Sequence, residues 1–396
     1  MLWKRRFALT FITQINNRCI ARCASTKSHF KTENDFQSGK KMNGWQIHSY
    51  SDGIQFSDKI KIPTIRESNE LLVKVNCASV NPIDVAMVDG YGATVFNAMR
   101  CKQDSIEFPL TLGRDFSGTI VHKGMAVRNS LQIGDKVWGV VPLHRNGCHS
   151  EFVVVDADYV THKPEKLSDL DAAAILYAGL TAWSGLFLSG QLGGLTGAMT
   201  SHGGGRGKRV CILGATGGVG SIAVQIAKAE GAEVVATCAN DAVSQIEALG
   251  VTHVVDYTSP DASNDLIRFG PYDIILDCAG KGSHYAAEIP WRYQHYVTFT
   301  SPTLKNMDAM GLVFGAAKNI CDLVQENVKS LTTQQGFVKW AYFVPAPHGI
   351  EYLINLVNRS KLLPIVEKVY DFKEADEAYE RVAAGHLRGK IVLDLQ

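Results

Sequence analysis

The chain has no C-x-x-C pair: its nine cysteines (Cys19, Cys23, Cys77, Cys101, Cys148, Cys211, Cys238, Cys278, Cys321) stand singly and are odd in number. Such spacing supports neither a disulfide framework nor a cysteine-rich zinc knuckle, and it suits reduced thiols in a reducing compartment. Net charge is equally scarce. Forty Lys and Arg against 39 Asp and Glu leave a formal charge of +1, so the concentrated basic face that nucleic acid requires is not expected. Long hydrophobic runs are few. Only 172–188 is apolar enough to raise the question of a membrane, and it falls at the short limit for crossing one before a glycine-rich polar stretch begins. A buried helix at a domain junction is the expectation, with no transmembrane segment.

Acidic residues are absent from the N-terminus. Lys4, Arg5, Arg6, Arg18, Arg22, Lys27 and Lys31 all precede the first acid, Glu33. Cationic, amphipathic and acid-free is the composition of a mitochondrial transit peptide, which assigns 1–40 to a leader and sends the protein to the mitochondrion, with the matrix as destination. A secretory signal would need an unbroken apolar core, and Thr10, Thr13 and Gln14 interrupt Phe7–Ile15. A solvated tail carrying no address is the plain alternative.

What the sequence does hold is 46% apolar residues across 396 positions, enough for two domains behind that leader. Residues 45–160 alternate short β-rich runs with Gly, Pro and Asn breaks, which predicts an antiparallel, barrel-like domain. From Arg209 the rhythm becomes strand, helix, strand, and this predicts a parallel sheet with right-handed crossovers. Between them, 190–207 contains eight glycines without periodicity and reads as a mobile loop. At the end, KVYDF and KIVLDL flank a helical DEAYERVAAG and are expected to rejoin the first domain.

Gly214-Ala215-Thr216-Gly217-Gly218-Val219-Gly220 follows a strand and opens a helix. Gly214, Gly217, Gly218 and Gly220 would permit a tight turn and let the backbone approach a diphosphate, which the unpaired amides of the helix N-terminus then receive. A purely structural glycine turn is the competing reading. The second strand, EVVATC, ends at Cys238 with Ala239 and Asn240 next and no carboxylate to hold a ribose 2′-hydroxyl, which favours NADPH over NADH. Asp241 follows, with no Lys or Arg adjacent in sequence. Ser244 could donate to a 2′-phosphate or could simply be a helix-surface serine.

Five ordered motifs, namely Ala78-Ser79-Val80-Asn81-Pro82-Ile83-Asp84, Gly113-Arg114-Asp115-Phe116-Ser117-Gly118, Gly134-Asp135-Lys136-Val137, Ala178-Gly179-Leu180-Thr181-Ala182 and the glycine turn, resemble the medium-chain dehydrogenase/reductase superfamily, quinone oxidoreductase branch. The resemblance runs from about Trp45 to the C-terminus. It implies an α/β fold with a GroES-like β-barrel catalytic domain (41–175, completed by 345–396) and a Rossmann doubly wound parallel sheet (176–344). It also implies hydride transfer to quinones or α,β-unsaturated carbonyls, a role in ubiquinone metabolism, and a homodimer. Zinc-dependent members carry a Cys-His pair after the Ser-Val, a Gly-His-Glu, and a four-cysteine lobe. This chain has Asn81-Pro82-Ile83-Asp84, Gly113-Arg114-Asp115 and a lone Cys101 there, and arginine cannot ligate zinc, so no metal is expected.

The same resemblance implies a site. Asn81 would stand beside nicotinamide or substrate, unless it merely forms an Asn-Pro turn, and Tyr91 would orient or protonate the substrate oxygen, or simply wall the pocket. Thr216, Gly218 and Val219 would hold the diphosphate, Ala239 the 2′-phosphate edge, and Tyr257 the adenosine side. Cys278 falls where a relative has asparagine near the nicotinamide ribose. Tyr342 and Phe343 would approach the nicotinamide, with His386 and Arg388 closing over the cofactor unless they cap a helix and face solvent. A second reading makes the chain an NADPH-binding interaction protein with mitochondrial protein partners and little turnover.

Overall fold

The structure is a computed structural model that describes residues 40–50, 52–101, 107–198, 203–333 and 336–396. The cationic leader, up to residue 39, and 199–202 of the glycine-rich segment lie outside the described residues.

The β-rich first part forms eight strands: β1 (Lys41–Ile47), β2 (Gln55–Lys61), β3 (Glu70–Val80), β4 (Leu110–Thr111), β5 (Asp115–Lys123), β6 (Lys136–Val140), β7 (Phe152–Asp156) and β8 (Val160–His162). All their pairings are antiparallel; β3 takes β5 and β7, and β6 takes β5 and β8. β1 pairs separately with β2 and β4. Leu71, Val73, Val75, Phe116, Ile120, Val137 and Val153 point into one buried core, and each such side chain contributes about 1.5–3 kcal/mol by leaving water.

The apolar run Asp169–Ser189 is helical and mostly buried inside the protein. Leu180 and Leu186 pack with Ile222, Ala223 and Leu353, so its apolar faces are covered by protein.

The second domain is a six-stranded parallel sheet: β9 (Arg209–Leu213), β10 (Glu233–Cys238), β11 (His253–Asp256), β12 (Tyr272–Asp277), β13 (Tyr293–Thr298) and β14 (Phe337–Trp340). Its order is β11-β10-β9-β12-β13-β14, reversing direction at β9 as a doubly wound sheet does. After the helix Pro347–Asn358, β15 (Val366–Asp371) pairs parallel with β16 (Lys390–Asp394), which lies antiparallel on β3 with Ile391 opposite Val80. This last pairing sets the residues before Ile391 beside those after Val80.

Two features differ from the sequence reading. The helix Thr303–Thr333 and strand β14 have no counterpart in the periodicity, because Gly311 (φ 76°) interrupts the helix and many of its apolar residues face outward. The described parts of 190–207 are pinned rather than loose: Leu192 is buried, and Gly204 and Gly205 donate to the side chain and carbonyl of Glu230.

Candidate functional site

The strand β9 ends at Leu213, and its register beside β10 lets Gly214 N–H donate to Thr237 Oγ1 (3.1 Å) and Ala215 N–H to the Thr237 carbonyl (3.0 Å). The chain then turns through Gly214 at φ +75°, where an added Cβ would stand 3.0 Å from Ala279. Gly220 is excluded from bearing a side chain more strictly, since its Cβ would come within 2.2 Å of the Gly214 carbonyl oxygen. In contrast, a Cβ on Gly217 would meet nothing nearer than 3.8 Å. Space therefore lies open before the helix Gly218–Ala229, whose first amides lack intrahelical partners and carry its positive end. Thr216 is largely buried beside this space, and Val219 packs partly into the core behind it.

At the end of β10, Ala239 is half-buried and Tyr257 half-exposed, the latter held by its N–H to the Cys238 carbonyl (3.0 Å). Ser244 sits exposed on the short helix Val243–Glu247. No Lys or Arg is adjacent to Asp241 in sequence, but the fold brings one to it. Arg388, arriving from the C-terminal segment, reaches Asp241 Oδ1 at 2.7 Å and Thr216 Oγ1 at 3.3 Å, so a guanidinium spans the glycine turn and the segment after β10. His386 is exposed with a left-handed backbone (φ 49°) two residues before it. Cys278 closes β12, its N–H bound to the Leu213 carbonyl, and burial and Asp277 push its thiol well up, so it stays a neutral thiol.

On the barrel side, Asn81 is 2% exposed and its amide is already engaged. Nδ2–H donates to Asp115 Oδ1 (2.9 Å), and Oδ1 accepts from the ammonium of Lys390. The side chain expected beside nicotinamide or substrate is thus held between Asp115 and Lys390. Asp115 also accepts from the Ser79 hydroxyl and from Tyr177 N–H (3.1 Å). Burial raises its pKa, opposed by Lys390 and these donors.

Tyr91 lies half-buried in a loop tied to the other domain: Gly92 and Thr94 N–H groups donate to Asp308 at 2.7 and 2.9 Å. Burial, Tyr342 and Asp308 together push its phenol up, so it remains a neutral donor at neutral pH. A cavity of about 10 Å³, room for one water, adjoins it between Tyr50, Met87, Phe96 and Arg100. Tyr342 is anchored through its hydroxyl to Thr303 (2.6 Å) and Ser301 (3.2 Å), and Phe343 stacks on Tyr177 with ring centres 4.3 Å apart. Lys390 and Asp308 were not among the expected site residues, although Lys390 lies two positions after Arg388; strand pairing brings Lys390 in, and the contact with Gly92 and Thr94 brings in Asp308.

A GroES-like antiparallel barrel leaning on a dinucleotide-type parallel sheet, with the glycine turn at its switch point, defines an α/β oxidoreductase. Family profiles agree: an alcohol dehydrogenase GroES-like domain over 67–165 and a zinc-binding dehydrogenase over 249–393. The chain is 51% identical to the mitochondrial NAD(P)H oxidoreductase RTN4IP1 of Drosophila melanogaster, covering 91% of this chain and 88% of that one. It is 38% identical to the human protein of that name, over 89% of each. Among solved structures, the quinone oxidoreductase from Coxiella burnetii superposes with a TM-score of 0.68 at 28% identity, covering 90% of this chain and all of that one. The chain belongs to the medium-chain dehydrogenase/reductase superfamily, within the group of these NAD(P)H oxidoreductases.

The word zinc in one profile prompts a test of the donors present. Where zinc-dependent members keep ligands, Arg114 and Asp84 form a fully buried ion pair (3.3 Å), and the guanidinium also donates to the Pro142 and Arg145 carbonyls. Among the described residues no group of three or more His, Cys, Asp or Glu side chains could hold a metal. A fixed positive charge in that position opposes any cation, so the residues do not fit zinc.

Proposed function

We propose that the chain is a mitochondrial, zinc-independent oxidoreductase of the matrix that passes hydride from NADPH to a quinone or another α,β-unsaturated carbonyl, with its role in ubiquinone metabolism. The observation that carries this reading is the open cradle at Gly217 with Arg388 stretched over its edge. Helix amides suit a diphosphate, and a guanidinium suits the additional 2′-phosphate. Gly214, Thr216, Gly217, Gly218, Val219 and Gly220 form the diphosphate side of this proposed site, with Ala239 and Tyr257 toward the adenosine and Cys278, Tyr342 and Phe343 toward the nicotinamide. The cationic leader and the mitochondrial names of the relatives support the compartment.

Bound reduced nicotinamide supplies the hydride. The chain supplies position and a proton. With Arg114 and Asp84 in place of a metal, charge appearing on the acceptor oxygen must be met by neutral donors, and a conjugated acceptor spreads that charge away from the carbon attacked. Tyr91, a neutral phenol, would give its hydroxyl proton to that oxygen and regain one from water in the adjacent cavity. Phe343, stacked on the buried Tyr177, would form an apolar wall beside the nicotinamide.

Short-chain quinones and enals incubated with the full chain test the reading through nicotinamide oxidation. Acceptor-dependent loss of NADPH, faster than of NADH, is expected. Tight NADPH binding with no turnover of any quinone or enone would refute it in favour of a binding protein.

A further inference from the structure

The antiparallel register of β16 on β3 delivers Lys390 to the seam between the domains. Its methylenes lie across Gly218, where an added Cβ would come within 2.6 Å of Lys390 Cδ, and its ammonium donates to Asn81 Oδ1. Lys390 is only 5% exposed. An ammonium has three N–H donors, and Asn81 takes one. Asp115 is the nearest compensation in kind, yet its oxygens already accept from Ser79, Asn81 and Tyr177, and no direct ion pair joins it to Lys390. Meanwhile Gly218 opens a twelve-residue helix whose positive end faces the same place. Asp115 and Asp84 offset the buried cation from the barrel side, and the donors that Asn81 leaves over stand within reach of an anion held at the helix's positive end.

We infer that Lys390 receives the dinucleotide's diphosphate beside Gly218, and that Asn81 is a positioning residue which holds this cation rather than touching substrate. The inference rests on the dinucleotide-binding reading of the glycine turn and adds a diphosphate ligand from the opposite domain. Because β16 belongs to the barrel, the same contact joins barrel to parallel sheet when the cofactor binds.

Calorimetric titration of the full chain and its Lys390→Met variant with NADPH and with 2′-AMP, which carries the 2′-phosphate but no diphosphate, tests this. NADPH affinity is expected to fall about tenfold or more on loss of a charged hydrogen bond, while 2′-AMP affinity stays unchanged and shows that the variant is folded. Asn81→Ala, which keeps the cation but frees it, is expected to weaken NADPH several-fold and leave 2′-AMP alone; it stands in should Lys390→Met not fold. Unchanged NADPH affinity in either variant, or an equal loss of 2′-AMP, would overturn the inference. Failure of the unaltered chain to bind NADPH or NADH would overturn the underlying reading instead, and this inference with it.

Discussion

The guanidinium of Arg388 lies 2.7 Å from the carboxylate of Asp241, 147 positions earlier in the chain. The two have opposite preferences in a cofactor. Arg388 attracts a 2′-phosphate, whereas Asp241 repels it and accepts from ribose hydroxyls. Arg388→Ala is therefore predicted to weaken NADPH about tenfold while leaving NADH nearly unchanged, on the scale of one charge-assisted bond. Asp241→Asn moves the ratio the other way, toward NADPH. Dissociation constants for both nucleotides in each variant check this, and parallel losses of both would contradict it.

Tyr91 tests the proton route. If its hydroxyl protonates the acceptor, Tyr91→Phe lowers kcat about a hundredfold with little change in KM, as removal of a general acid does. Steady-state kinetics with a short-chain quinone decide it. An unchanged kcat would reduce Tyr91 to a wall of the pocket.

The Asp84–Arg114 pair tests the structural replacement of a metal. Both side chains are fully enclosed, and removing one partner strands a buried charge at a cost of about 3–5 kcal/mol. Arg114→Met should lower the free energy of unfolding in denaturant by that amount. Exchanging both, as Asp84→Leu with Arg114→Met, should recover part of the loss, and additivity of the two single changes would argue against a coupled pair.

Much of this architecture was legible in the sequence because it is local. The strand ending at Leu213, the turn and the helix from Gly218 occupy one short stretch, and their glycines reflect contacts within it, such as Gly220 against the Gly214 carbonyl. The closing of the site was not legible. Asp308 meets Gly92 across 216 positions and Lys390 meets Asn81 across 309, and no periodicity records such pairs. Asn81 shows the consequence. Its place in the Asn-Pro motif was readable, but the saturation of its amide by Asp115 and Lys390 appears only once β16 lies on β3.

Acid stability offers a separate check. Burial, with Arg145, Arg100 and Arg114 nearby, pushes His144 down from 6.5 to about 4. Between those values the unfolded chain binds a proton that the native state refuses, so stability falls as pH drops through that window and is unaffected above it. Denaturant unfolding at pH 7 and pH 4.5 should show the loss, and His144→Gln should make it smaller. An equal decline in the variant would assign the acid sensitivity elsewhere.

The central claim, that a dinucleotide settles on the amides before Gly218, is tested most directly by thermal melting of the full chain with NADPH. At a hundredfold excess over Kd the folded state should gain about 2.7 kcal/mol, raising Tm, and Gly218→Asp should abolish the rise by setting a carboxylate against the diphosphate. A melting curve that neither NADPH nor NADH displaces would contradict the account.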